Sequence, residues 1–243
     1  MKKLFAILLV VSMSLVLVAC GPSEFTATGY GITHKSYVGV ITLTVDKDGK
    51  VLSAAADEYY LPYNTAVVEV ADPLNAPMDV VLGNSHGVKY FAKYFSVNGT
   101  LFVATDNAEG LPVYAANGVS ILDWVAEEAN AKAYVDGVLA GTVFIADEAG
   151  AKSTVYATPS ADNAGVNEWT KSGTNYGGDN WNWAEQIAAF STSLVGTTMD
   201  GNFAQDEADK LWVVNDVKTS ATMVDFAQYY AVAQRAYATA TAK

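Results

Sequence analysis

Cysteine is nearly missing from this chain of 243 residues, and Cys20 is the only one. A lone thiol closes no intramolecular disulfide and leaves none over for a thiolate metal site or a cysteine nucleophile. Histidine is almost as scarce. The two histidines, His34 and His86, stand far apart in sequence, which argues against a zinc site; both read as surface or hydrogen-bonded loop residues. Basic side chains are few as well, 14 Lys and Arg against 26 Asp and Glu. Without residues 1–19, which hold Lys2 and Lys3, 12 basic groups face 26 acidic ones, a net charge of −14. That balance argues against nucleic acid and against polybasic membrane binding. No Gly-x-Ser-x-Gly elbow occurs, nor a Gly-rich loop ending in Lys-Ser/Thr. The acid pairs Glu127-Glu128 and Asp206-Glu207 lie in polar stretches and read as solvated faces, so no catalytic residue is assigned.

What the chain does have begins at its N-terminus. Lys2 and Lys3 precede an apolar run from Leu4 to Val18 that ends in Leu17-Val18-Ala19-Cys20-Gly21. A basic start, a short apolar core and small residues before a cut describe a secretory signal over residues 1–19, too short for a membrane span. Cysteine directly after Leu-Val-Ala resembles the lipobox of bacterial lipoproteins. The resemblance implies lipidation of Cys20, which becomes the first mature residue of an extracytoplasmic protein anchored to the cell membrane by its lipid. The other reading is a plain signal peptide with an incidental cysteine.

Residues 20–29 read as a tether, and 30–243 as one domain; 51% hydrophobic and 12% aromatic residues supply one sizeable core. Tyr37–Val45 alternates as a strand and turns through Asp46-Lys47-Asp48-Gly49-Lys50 into a second, from Val51 to about Ala56. The Asp-x-Asp-Gly run lacks the further ligands of a calcium loop and reads as a surface turn. Residues 61–85, with Pro62, Pro73 and Pro77, look irregular. Val88–Val97 and Thr100–Ala104 form a hairpin across Asn98-Gly99. A helix is predicted over Val119–Leu139, strands at 142–146 and 153–157, a long Gly/Asn/Ser/Thr-rich loop at 158–180, a helix over Trp181–Val195 and a short strand at 211–214. The last helix runs over Met223–Ala242. The fold class is α+β, a twisted, mainly antiparallel sheet of hairpins packed by three helices, with an inserted central region.

The segment Asp216-Val217-Lys218-Thr219-Ser220-Ala221-Thr222 stands at the mouth of that last helix. Thr219, Ser220 and Thr222 are candidate N-caps, and a helix N-terminus is a natural seat for a phosphate. Ala221 is small enough to let a bulky group approach. Thr222-x-x-Asp225 is equally an ordinary capping box. The pattern Asp, two free positions, Ser/Thr, Gly/Ser, Ala, Ser/Thr resembles the acceptor motif of FMN-binding domains. In the C subunit of the sodium-pumping NADH:quinone oxidoreductase, and in extracellular electron-transfer lipoproteins, such domains carry flavin esterified through its phosphate to the final threonine. The hairpin around "DKDGKV" is similar to the opening of those domains. The resemblance covers Val38–Ala56 and Trp181–Ala242, and departs at Ser220, where glycine is commoner.

The resemblance implies an FMN-binding-domain-like fold and covalent FMN on Thr222, loaded after export by a magnesium-dependent flavin transferase that Asp216 helps to recognise or orient. It implies an electron carrier between a membrane donor and an extracellular acceptor, with no turnover beyond redox cycling. Asn175–Ile187 is similar to a Tyr-Gly…Trp-x-Glu-Gln-Ile region of bacterial lipoproteins. There Tyr176, Trp181 and Trp183 could cover a flat ring, or simply pack a helix onto the sheet. The alternative function is a surface binding lipoprotein without flavin. A solute receptor would need two alternating α/β lobes, which the pattern lacks.

Overall fold

The computed structural model describes residues 24–84, 86–161, 167–177, 183–199, 201–215 and 217–242. The expected signal segment, Cys20, Trp181 and Asp216 lie outside the described residues. The class is α+β, with every pairing between named strands antiparallel.

Period-two alternation builds the first sheet. β1 (Glu24–Thr33), β2 (Tyr37–Asp46) and β3 (Val51–Tyr60) pair in that order. Ile41, Leu43 and Val45 bury on one face of β2, and Val38 with Val40 packs into a second cluster on the other. Asp46 closes the β2–β3 turn with its own carboxylate, Oδ1 accepting from the amides of Asp48 (2.9 Å) and Lys50 (2.8 Å). Residues 24–29 are strand rather than tether, paired with Asp46 back to Ile41. The reason they look unlike a strand is a close neighbour. A helix over Phe226–Thr241 crosses this face, and a Cβ on Gly29 would lie 2.3 Å from the Val232 carbonyl oxygen. The inward positions must therefore be Ala27, Gly29 and Gly31, and the hydrophobic alternation disappears.

The stretch expected to be irregular carries short elements: α1 (Pro62–Thr65), β4 (Val67–Val68), a 3₁₀ turn at Pro73–Asn75 and β5 (Val80–Asn84). With β6 (Val88–Ala92) these strands form a sheet ordered β4-β6-β5. The next sheet, ordered β10-β9-β8-β7-β11, comprises β7 (Tyr94–Val97), β8 (Thr100–Thr105), β9 (Val113–Ala116), β10 (Val119–Ser120) and β11 (Val143–Ile145). Asn98 and Gly99 turn β7 into β8 with φ of 51° and 82°, as an Asn-Gly turn requires.

The helix expected over 119–139 is two, α2 (Ile121–Ala126) and α3 (Glu128–Leu139), broken at Glu127 with ψ 126°. Ser120 caps α2 by accepting from the Asp123 amide at 3.1 Å. Across the break, the Asn130 side chain donates to the Trp124 carbonyl at 2.9 Å. Residues 153–157 do not form the expected strand. The Ser153 hydroxyl takes the amides of Val155 (3.1 Å) and Tyr156 (3.0 Å), so they curl away after an isolated bridge at Lys152.

α4 (Trp183–Leu194) ends at Gly196, φ 87°, as expected. β12 (Phe203–Gln205), β13 (Trp212–Val214) and β14 (Val217–Lys218) form a small sheet, and α5 (Phe226–Thr241) closes the fold. α4 and α5 cover the Ile41–Leu43–Val45 face of the first sheet. No described helix is long and apolar enough to cross a membrane.

Candidate functional site

At one end of that covered face the aliphatic side chains give way to charge. Strand register puts Tyr37 opposite Tyr60 and Gly39 opposite Glu58, so Glu58 shares a face with Ala54, Ala56 and the inward residues of β2. Its side chain is fully buried. A buried carboxylate must be paired and hydrogen-bonded, and Glu58 has three partners. The Thr33 hydroxyl donates to Oε1 at 2.7 Å, the Trp183 indole N–H donates to Oε2 at 3.1 Å, and the Lys171 ammonium lies 2.5 Å from Oε2. Gly39 makes this possible, since a Cβ there would stand 2.4 Å from Cγ2 of Thr33.

Lys171 is delivered by the long loop, whose backbone docks along β3. The Tyr60 amide donates to the Trp169 carbonyl (2.8 Å), and the Lys171 amide to the Glu58 carbonyl (3.0 Å). Its side chain is as buried as that of Glu58. Aromatic rings enclose the ammonium: Nζ is 4.0 Å from the ring centre of Tyr37, 4.5 Å from that of Tyr176 and 5.7 Å from Trp183. Beyond its ion pair, Nζ has no hydrogen-bond partner among the described residues. The hydroxyl of Tyr229, reaching in from α5, is buried beside Glu58 and Trp183 without a well-aligned hydrogen bond to either. Burial first, and then the Glu58 carboxylate, push that hydroxyl far above its ordinary pKa. Burial, followed by the neighbouring Tyr176, does the same to Tyr37. Both phenols stay neutral.

Above this floor opens a cleft of about 300 Å³, lined by Lys171, Tyr176, Trp183, Gln186, Thr222 and Tyr229, with His34 and residues 223–225 completing it. Its volume is at the small end for small-molecule sites. Thr222 is exposed at the rim. Gln186 Oε1 accepts from its amide at 2.7 Å and its hydroxyl at 3.2 Å. Tyr176 and Trp183, expected to face a ring, do line a cleft beside Thr222.

The helix does not start where expected. α5 begins at Phe226, with Asp225 in the cap position and no side-chain cap, so neither Thr219, Ser220 nor Thr222 is its N-cap and the capping box does not form. Trp212 accounts for the delay. Its amide donates to the Ala221 carbonyl (2.9 Å), its carbonyl accepts from the Thr219 amide (2.7 Å), and its indole N–H donates to the Met223 carbonyl (2.7 Å). Carbonyls that an earlier helix would need are thereby engaged, while the indole stacks on Phe226 at 4.8 Å. The Asp225 carboxylate instead meets Nδ1 of His34 at 3.0 Å.

The motif is also split. Ala221 is fully buried in the core and makes no room for a ligand. Thr219, whose hydroxyl accepts from the Ala221 amide at 3.1 Å, lines with Ser220 a separate cleft of about 500 Å³ that Thr192, Ser193 and Lys218 share. Among the described residues of the motif, only Thr222 meets the aromatic cleft.

Sequence reasoning missed Glu58, Lys171, Tyr229 and Gln186. Glu58 carried a usable signal, an acid in phase with the small inward residues of β3. Lys171, in a polar loop, carried none. Comparison with family models, curated proteins and solved structures finds no match for this chain.

Proposed function

We propose that the protein is an extracytoplasmic, lipid-anchored flavin carrier, with FMN attached through its phosphate to Thr222. The observation that carries this reading is the exposed Thr222 hydroxyl at the rim of the cleft that Trp183 and Tyr176 line. The residues present fit such a group. The rim offers an acceptor hydroxyl, the walls offer flat aromatic surface for a ring to pack on, and the floor holds two buried polar groups, Lys171 Nζ and the Tyr229 hydroxyl, with donor capacity unused. FMN would supply reversible electron uptake and release. The chain would hold the ring, exclude water around it and set the charge beside it, while a membrane donor and an extracellular acceptor exchange the electrons.

One observation favours the second reading, a binding lipoprotein without covalent flavin. Because α5 starts at Phe226, a phosphate on Thr222 would sit a turn short of the helix N-terminus that usually favours it. Intact mass after export alongside a magnesium-dependent flavin transferase separates the two. The expected result is a gain of one FMN less one water, with in-gel flavin fluorescence, both lost in Thr222→Ala. An unmodified chain, in cells where an established acceptor domain is modified, rejects covalent attachment.

A further inference from the structure

The floor of the cleft is built for more than packing. Lys171 and Tyr229 bring an ammonium and a phenolic O–H to one place beside Glu58, both buried and neither with a well-aligned hydrogen bond beyond the Lys171–Glu58 ion pair. Buried polar groups are nearly always satisfied, and each one left open costs stability. Two of them beneath the same cleft are an invitation to a ligand acceptor. Tyr229 is neutral and therefore offers its proton. Glu58 offsets the lysine charge, so the floor is electrically balanced and favours a polar, uncharged acceptor such as a carbonyl over a full anion. Trp183, one wall of the same cleft, has its N–H committed to Glu58 and its ring left for stacking.

We propose that this cleft is a noncovalent seat for a flat heteroaromatic ring with a carbonyl-bearing edge, of the pyrimidinedione kind. Lys171 and Tyr229 receive the carbonyl edge and Trp183 packs against the ring, and the seat works without any bond to Thr222. The choice of a flavin as probe rests on the reading above; the seat itself rests on the open donors. Its occupant is recognised by its edge, so a tricycle of similar size without carbonyls is a poor ligand.

The test uses the chain produced without a flavin transferase, titrated with riboflavin, which has no phosphate to esterify. Tryptophan and flavin fluorescence are followed, with phenazine as the carbonyl-free comparison. Saturable riboflavin binding is expected, with phenazine at least about tenfold weaker. Tyr229→Phe removes one oxygen that makes no well-aligned hydrogen bond in the fold, so the fold is retained while riboflavin affinity falls about fivefold to tenfold. Lys171→Met paired with Glu58→Gln removes both charges together, avoids a stranded ion, and weakens binding more than about tenfold. Absent or unsaturable riboflavin binding overturns the proposal. So does equal affinity for phenazine, or an unchanged dissociation constant in both folded variants. If Thr222 gains FMN yet the unmodified chain ignores riboflavin, the seat fails and the carrier stands. If riboflavin binds as described and Thr222 stays unmodified, the seat stands and covalent attachment fails.

Discussion

The two faces of the first sheet treat buried polar groups in opposite ways. On the face of Val38 and Val40, the three most deeply buried polar aromatics are satisfied. Tyr114 donates to the Ala92 carbonyl at 2.6 Å, Tyr134 to the Tyr60 carbonyl at 2.7 Å, and the Trp169 indole to the Pro159 carbonyl at 2.8 Å. Across the sheet, Tyr229 is equally buried, and its hydroxyl, beside Glu58 and Trp183, makes no well-aligned hydrogen bond. The first face is a core optimised for stability, where a buried O–H without an acceptor would be an uncompensated loss. The second holds a core of the same aromatic richness that breaks this rule at Lys171 and Tyr229, which border the aromatic cleft, and again at Asn215 Oδ1, which borders the cleft of Thr219 and Ser220. The contrast separates packing from site without any appeal to relatives.

The largest effect available on this contrast is at the ion pair. Glu58→Gln or Lys171→Met alone leaves the other charge buried at 0% exposure and is expected to cost about 3–5 kcal/mol. The double replacement should recover at least half of that loss, because no bare charge remains. Urea denaturation of the four proteins measures it. Additive losses would mean that the two side chains are solvated separately and that the caged pair does not exist in solution.

A smaller effect probes the helix that roofs the site. α5 lies so close on β1 that a methyl on Gly29 would meet the Val232 carbonyl at 2.3 Å and the Ala236 amide nitrogen at 2.7 Å. Neither is a flexible side chain, so the helix itself must move. Gly29→Ala is expected to cost about 1–3 kcal/mol, lowering the melting temperature by roughly 2–4 °C per kcal/mol for a chain of this size. Ala on the same strand at Gly31 meets the Arg235 guanidinium end (2.8 Å) and a Val232 methyl (3.0 Å), which can shift, so its cost should be lower. Equal melting temperatures for the two variants would contradict the close approach at Gly29.

Gly29 also marks where the sequence stops being legible. Hairpins announced by Asp48-Gly49 and Asn98-Gly99 are present because their turn chemistry is local. α4 and α5 are present because their apolar spacing outlasts a few uncertain residues. β1 was hidden, since its inward residues are small for a neighbour 200 positions away that no local pattern reveals. The start of α5 was misplaced for the same kind of reason: Trp212, on a different strand, holds the carbonyls of Ala221 and Met223. At the site, Thr222, Tyr176 and Trp183 were legible as a polar acceptor and two rings near a glycine loop. Their shared floor was not, because Lys171 and Glu58 meet only through strand register and loop docking.

The smallest change in the fold gives the sharpest test of the comparison. Tyr134→Phe and Tyr229→Phe each delete one buried oxygen, one from each face. The first loses a made hydrogen bond and is expected to cost about 1 kcal/mol at neutral pH; the second loses no well-aligned one and should lie within about 0.5 kcal/mol of the parent or above it. Alkaline pH separates them further. The folded chain holds the Tyr229 proton far above the ordinary tyrosine value, whereas the unfolded chain releases it near pH 10. The folded state therefore binds more protons above that pH, and stability falls as pH rises. Tyr229→Phe removes one such proton and should flatten the fall by up to about 1.4 kcal/mol per pH unit. Chemical denaturation of both variants at pH 7 and above pH 10 reads both effects. A Tyr229→Phe variant as destabilised at pH 7 as Tyr134→Phe would mean that its hydroxyl has an acceptor within the fold, and the two faces would then differ in shape alone.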